Sequence, residues 1–149
     1  MIPENSEPIL PSVPYQSCPV GVSLALLGRK WALLIIRDLA IYHDQSFTQL
    51  MDRNHGLTAR ELSFRLRDLQ KEGVISRVRD EEDRRKVHYR LTKQGEDAVP
   101  VVTALVQYGI KHHSARVFKD KKPRELGDLY PERYKKFMLG RLRKFALEK

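Results

Sequence analysis

Apolar residues recur at helical spacing through the first half of the chain and switch to alternation near residue 74. Val22, Leu24, Ala25, Leu26 and Leu27 predict a short helix that Gly28 ends, and Trp31 restarts the pattern through Leu34, Ile35, Leu39 and Ile41. Only Arg37 and Asp38 interrupt this second helix, so most of its surface is expected to be covered by other elements. Ser46 is a good N-cap for a third helix over residues 47–53, which should bury Phe47, Leu50 and Met51. Asn54, His55 and Gly56 supply a turn. The next helix starts at Thr58, whose spacing from Glu61 is that of a capping box, and stops near Gly73. Residues 74–79 and 86–91 are rich in β-branched and alternating positions, and Asp80-Glu81-Glu82-Asp83 joins them as an antiparallel hairpin. After Gly95 a longer helix is expected. It tolerates Pro100 near its first turn and presents Val101, Val102, Leu105, Val106 and Ile110. A Lys-rich break covers residues 119–123, and a last helix opens near Pro131 with Tyr134, Phe137, Met138, Leu142 and Phe145 on one side.

The expected fold class is mainly α with a small antiparallel β wing (α+β), a winged helix-turn-helix. Three segments follow. Residues 1–17 carry Pro3, Pro8, Pro11 and Pro14 and are expected to be an extended arm. Residues 18–113 are expected to form the winged domain. Residues 114–149 form a basic helical extension.

Within the helix that starts at Thr58, Leu62, Leu66 and Leu69 fall in a narrow arc and anchor it to the core. Arg60, Ser63, Phe64, Arg67 and Lys71 lie on the opposite arc. A major-groove helix needs such a set: guanidinium forks for guanine edges or phosphates, a hydroxyl for either, and an apolar ring for a thymine methyl. The bland alternative is a solvated charged face, with Phe64 packed against a partner subunit. In the wing, four acidic residues adjoin Arg84, Arg85 and Lys86. An ion pair from Asp83 to Arg85 would hold that arginine extended toward a narrow minor groove. The alternative there is a self-screened turn that touches nothing.

Composition narrows the partner class. A net charge of +9 and a pI near 9.8 favour a polyanion, nucleic acid ahead of an acidic membrane surface. Hydrophobic residues make up 41% of 149, enough for one modest core. The single cysteine, Cys18, excludes an internal disulfide, and the proline-rich start lacks the basic and apolar regions of a secretory signal. The longest apolar run, residues 31–36, is far short of the roughly 20 residues a membrane helix requires. A soluble, cytoplasmic and nucleoid-associated protein is expected. Among the histidines, His43, His55, His88, His112 and His113 give no i, i+4 metal pair, no phosphate-binding glycine loop appears, and no nucleophile has a recognised setting. Neither an enzyme nor a cofactor or metal is expected.

Cys18-Pro19-Val20, Leu27-Gly28-Arg29-Lys30-Trp31, Phe47-Thr48-Gln49-Leu50, and Leu66-Arg67-Asp68-Leu69 with Gly73-Val74-Ile75 resemble the HxlR family of winged-helix transcription regulators over residues 18–113. The wing, Asp83-Arg84-Arg85 through Leu91-Thr92, resembles the signature of the MarR family, in which the first and third of these residues pair and the arginine enters the minor groove. Both families bind operators as dimers. The resemblance places Thr58, Arg60, Ser63, Phe64 and Arg67 at DNA-facing positions, and assigns the dimer to the first helix and the helix after the wing. Many HxlR members carry polar groups such as glutamine where this chain has Phe64 and Arg65, so base preferences do not transfer. In some of them the cysteine matching Cys18 senses electrophiles or oxidants. A lone thiol would need a disulfide across the dimer or a small-molecule cap, and the alternative is a buried structural cysteine.

The extension holds twelve Lys and Arg against five Asp and Glu, +7 of the total +9. It either reaches flanking phosphates or lengthens the dimer interface. These readings converge on a homodimeric regulator of transcription, a repressor, that binds double-stranded DNA at a pseudo-palindromic operator, with any small-molecule effector unidentified. The rival from another class is a winged helix that binds RNA or a protein partner.

Overall fold

The computed structural model describes residues 7–8 and 10–129. The helix expected near Pro131 lies outside the described residues. Of the N-terminal arm, residues 7–8 and 10–17 carry no helix or strand and are exposed, as their prolines require.

Helix α1 (Pro19–Leu27) places its proline in the first turn, where no backbone donor is needed, and ends at Gly28. Trp31 then takes a left-handed conformation, φ 75°, and starts α2 (Ala32–Tyr42). Strand β1 (Gln45–Ser46) leads into α3 (Phe47–Arg53), α4 (Ala59–Lys71), β2 (Ile75–Arg79) and β3 (Val87–Leu91). Helices α5 (Lys93–Asp97), α6 (Val99–His112), α7 (Ser114–Val117) and α8 (Leu126–Leu129) follow. The fold is a winged helix-turn-helix: α3 and α4 form the pair, and the hairpin of β2 and β3 is the wing.

The core is built where the helical periods converge. Ile35 and Ile36 of α2, Leu50 of α3, and Leu62 and Leu69 of α4 are fully buried, with Val74, Ile75 and Val102 closing the cluster. Such side chains each contribute about 1.5–3 kcal/mol on leaving water. Gly73 turns the chain from α4 into β2 with φ 77°, a region that glycine enters without Cβ strain. The hairpin runs Ile75 opposite Leu91 to Arg79 opposite Val87.

Four expectations change. The sheet has a third strand: β1 pairs with β3, Gln45 opposite Tyr89, so the order is β1-β3-β2. The covered face of α2 is narrower than expected, with Leu34 and Ile41 exposed and the interrupting Asp38 buried. The single helix after Gly95 is two. Thr92 caps α5, and the chain breaks at Ala98 because Pro100 lacks an N–H and suits only the first turn of α6. Finally, Val101 and Leu105 of α6 face outward, while Val99, Val102, Thr103 and Ile110 are buried.

No single helix among the described residues is long and apolar enough to cross a membrane; the apolar neighbours α1 and α2 are bent by 77° at their junction.

Candidate nucleic-acid interface

Helix α4 is closed at its start by reciprocal bonds. The Glu61 backbone N–H donates to Thr58 Oγ1 at 3.2 Å, and the Thr58 N–H donates to the Glu61 carboxylate at 2.9 Å. The Thr58 backbone N–H, and after it the Thr58 hydroxyl, which also donates to this carboxylate at 2.9 Å, hold the Glu61 carboxyl below the usual carboxylate range. With its first turn fixed and Leu62, Leu66 and Leu69 buried, the helix cannot roll about its axis.

Its opposite face is open. Thr58, Arg60, Ser63, Phe64, Arg67 and Lys71 are all exposed. Phe64 is 46% exposed and stands between two cations, with the Arg60 and Arg67 guanidinium carbons 5.6 and 5.5 Å from its ring centre. At that separation a ring attracts a guanidinium and limits its wandering. The helix therefore presents an apolar plate flanked by two donor forks, a composition that suits base edges and phosphates.

The wing turn is organised by carboxylates acting on the backbone. Asp80 Oδ1 accepts the N–H groups of Glu82 and Asp83 at 2.8 and 3.0 Å. These two bonds, that of Asp83 first, hold the Asp80 carboxyl below its ordinary range, with the charges of Lys86 and His88 adding to the effect. Asp83 does not pair with the Arg85 guanidinium, which corrects the expected ion pair. Its carboxylate instead accepts the Arg85 backbone N–H at 3.1 Å. Two residues apart in a tight turn, the N–H is the donor within reach, a local bond typical of Asp in turns. Arg84, Arg85 and Lys86 are exposed at the tip and Asp83 is partly buried. The carboxylate thus shapes the loop that carries the arginine without engaging its charge.

Two groups of residues escaped the sequence reading. Arg77 and Arg79 on β2 are exposed although they share the parity of buried Ile75, so alternation along the strand would have assigned them to the covered face. Arg65 and Trp31 form a hold on the inner flank of α4. The Arg65 Nε–H donates to the Lys30 carbonyl at 3.0 Å, and the Trp31 Nε1–H donates to Glu61 at 3.4 Å. No local sequence signal marks contacts 35 and 30 residues apart.

Cys18 is exposed at the N-cap of α1 in the single chain. Residues 26–117, which include α4 and the wing, match the family model for the HxlR-like helix-turn-helix. The chain belongs to that family. An uncharacterized HTH-type transcriptional regulator of Mycobacterium bovis is 40% identical over 90 residues, a stretch that covers 60% of this chain and 56% of the relative. The chain thus spans little more than half the length of that relative. Among solved structures, the redox regulator HypR in its oxidized form is 28% identical with TM-score 0.57, covering 62% of this chain and 94% of that one. A MarR-family regulator of Porphyromonas gingivalis, 24% identical with TM-score 0.60, covers 68% of this chain and 99% of its own and shares the fold. The HxlR-like match ends within α7, so residues 118–149 lie beyond it.

Proposed function

We propose that this chain is a sequence-specific regulator of transcription, a repressor that binds double-stranded DNA as a homodimer on a pseudo-palindromic operator. The observation that carries this reading is the outward face of α4, where Arg60, Ser63, Phe64 and Arg67 stand free opposite three buried leucines. Membership of a family of transcription regulators supports it and weighs against an enzyme.

In this reading Arg67 and Arg60 contact guanine edges or phosphates, Ser63 and Thr58 donate to either, Phe64 meets a thymine methyl, and Lys71 meets a phosphate. Asp83 shapes the wing turn, and Arg84, Arg85 and Lys86 approach the flanking minor groove.

Dimerisation through α1 and α6 follows from what they leave uncovered. Helix α1 buries none of its side chains and exposes Val20, Val22 and Leu24, while α6 exposes Val101, Leu105 and Tyr108. Exposed apolar side chains on two helices are best covered by a second copy. Two reading helices related by a two-fold axis would then enter successive major grooves about 34 Å apart. Occupancy of a promoter by such a dimer excludes polymerase and needs no further activity. The exposure of Cys18 beside α1 supports a sensing role over a structural one, through a disulfide between copies or a small-molecule cap.

A gel shift with genomic duplex fragments and length-matched RNA tests the reading. Retention of particular duplexes at salt where RNA is released is expected. Equal affinity for unrelated RNA, or no duplex binding, contradicts it and favours the rival RNA or protein module.

A further inference from the structure

Helix α1 and the reading helix α4 do not pack against each other along their length. A groove of about 320 Å³ lies between them, lined by Val22, Ala25 and Leu26 on one side and by Lys71 and Glu72 on the other. One side chain spans it. The Arg29 Nε–H donates to the Ala25 carbonyl in the last turn of α1 at 2.8 Å, and its Nη1 donates to Asp68 Oδ2 on α4 at 2.6 Å. That oxygen also accepts from Arg65 Nη1 at 2.9 Å, and Arg65 in turn holds the Lys30 carbonyl. The last turn of α1, the α1–α2 linker and α4 are therefore joined by a guanidinium–carboxylate–guanidinium chain, beside the apolar contact that Leu26 and Leu27 make with the core.

We propose that Arg29, through Asp68, is a positioning residue that fixes the angle between α1 and α4 and thereby sets the half-site spacing the dimer accepts. The proposal rests on the dimeric DNA-binding reading above. A planar guanidinium bonded at two edges constrains direction as well as distance, which a flexible ammonium does not. The pair is half exposed at Arg29 and about one-third exposed at Asp68, so it contributes little to stability and can be removed without unfolding the domain. Its effect is geometric. If α1 lies on the two-fold axis, a tilt of α4 against α1 appears in both subunits, and one base pair of spacer turns a half-site by about 35°.

The test starts from the site that the full-length protein selects from random duplexes, and compares it with versions whose central spacer is one base pair longer or shorter. Wild type should prefer the selected spacing by about tenfold, and Arg29→Ala should reduce that preference to about twofold. Dimer mass, thermal midpoint and salt slope should stay unchanged. Arg29→Lys should restore less than half of the preference in logarithmic terms, and Asp68→Asn should behave as Arg29→Ala. Undiminished spacing preference in Arg29→Ala overturns the proposal. So does an equal loss at every spacing with a salt slope shallower by about one, which would make Arg29 a phosphate contact. A second readout needs no DNA: spin labels on Cys18 and on Gln70→Cys, in spin-diluted samples, report the α1 to α4 distance. Arg29→Ala should broaden that distribution, and an unchanged width overturns the strut. If wild type binds no duplex, the function reading has failed, and the label widths judge the strut separately.

Discussion

The Asn54 side-chain amide donates to Asp38 Oδ2 at 2.6 Å, and both residues are buried. Asn54 also donates to the Leu50 carbonyl at 2.9 Å, while the Arg37 Nε–H donates to the other Asp38 oxygen at 2.8 Å. The turn between α3 and α4 is thus tied to the middle of α2 by a buried carboxylate whose lone pairs are filled from both sides. Removing the amide would leave a desolvated charge with one partner. Asn54→Ala is therefore expected to lower stability by about 2–3 kcal/mol, read as a lower urea midpoint at unchanged slope. A loss under about 0.5 kcal/mol would mean that water replaces the amide at no cost.

Thr58 caps the reading helix with its hydroxyl. Thr58→Ala should cost about 1 kcal/mol and Thr58→Ser only a few tenths, both measured by chemical denaturation. An equal loss for the two variants would show that the hydroxyl does not act as the cap.

The wing has a pH signature. The folded Asp80 carboxyl titrates below its unfolded value of about 3.9, so the stability it gives is fully present above that value. It is lost as pH falls through the lower, folded pKa. Carbon-detected titration of Asp80 should give a midpoint below about 3.9, with the Glu82 and Asp83 amide shifts moving in step. A midpoint at or above that value would show that the turn is not held by this carboxylate.

Base reading and charge attraction separate by variant. Arg67→Ala should cost about 1–3 kcal/mol on the preferred site and relax preference at one position, whereas Arg85→Ala should weaken all sites alike and reduce the salt slope by about one. Gel-shift titrations at several salt concentrations measure both. A uniform loss with Arg67→Ala would remove it from the base-reading set.

Much of this architecture is legible in the sequence because it rests on local rules. The Thr58 and Glu61 spacing, the leucine arc of α4 and the alternation of the hairpin each involve residues within a few positions of one another. What the sequence conceals is non-local. Asp38 looks like a polar interruption and is buried, because its partner Asn54 lies 16 residues away. The two-residue strand β1 is too short to show a period. Arg65 joins no obvious face of α4 until the Lys30 carbonyl is placed beside it. Asp83 has the residue spacing of an ion pair, and only coordinates show that the backbone N–H of Arg85 claims its carboxylate. The break at Ala98 was foreshadowed by Pro100, whose ring fits a first turn better than a second.

Selection of binding sites from a random duplex library, with wild type and Arg67→Ala in parallel, tests the central claim most directly. The account predicts an inverted repeat with half-site centres about 10–10.5 base pairs apart, and loss of preference at the same position in both halves in the variant. Recovery of no enriched motif by wild type, or of the same motif by Arg67→Ala at the same strength, would contradict it.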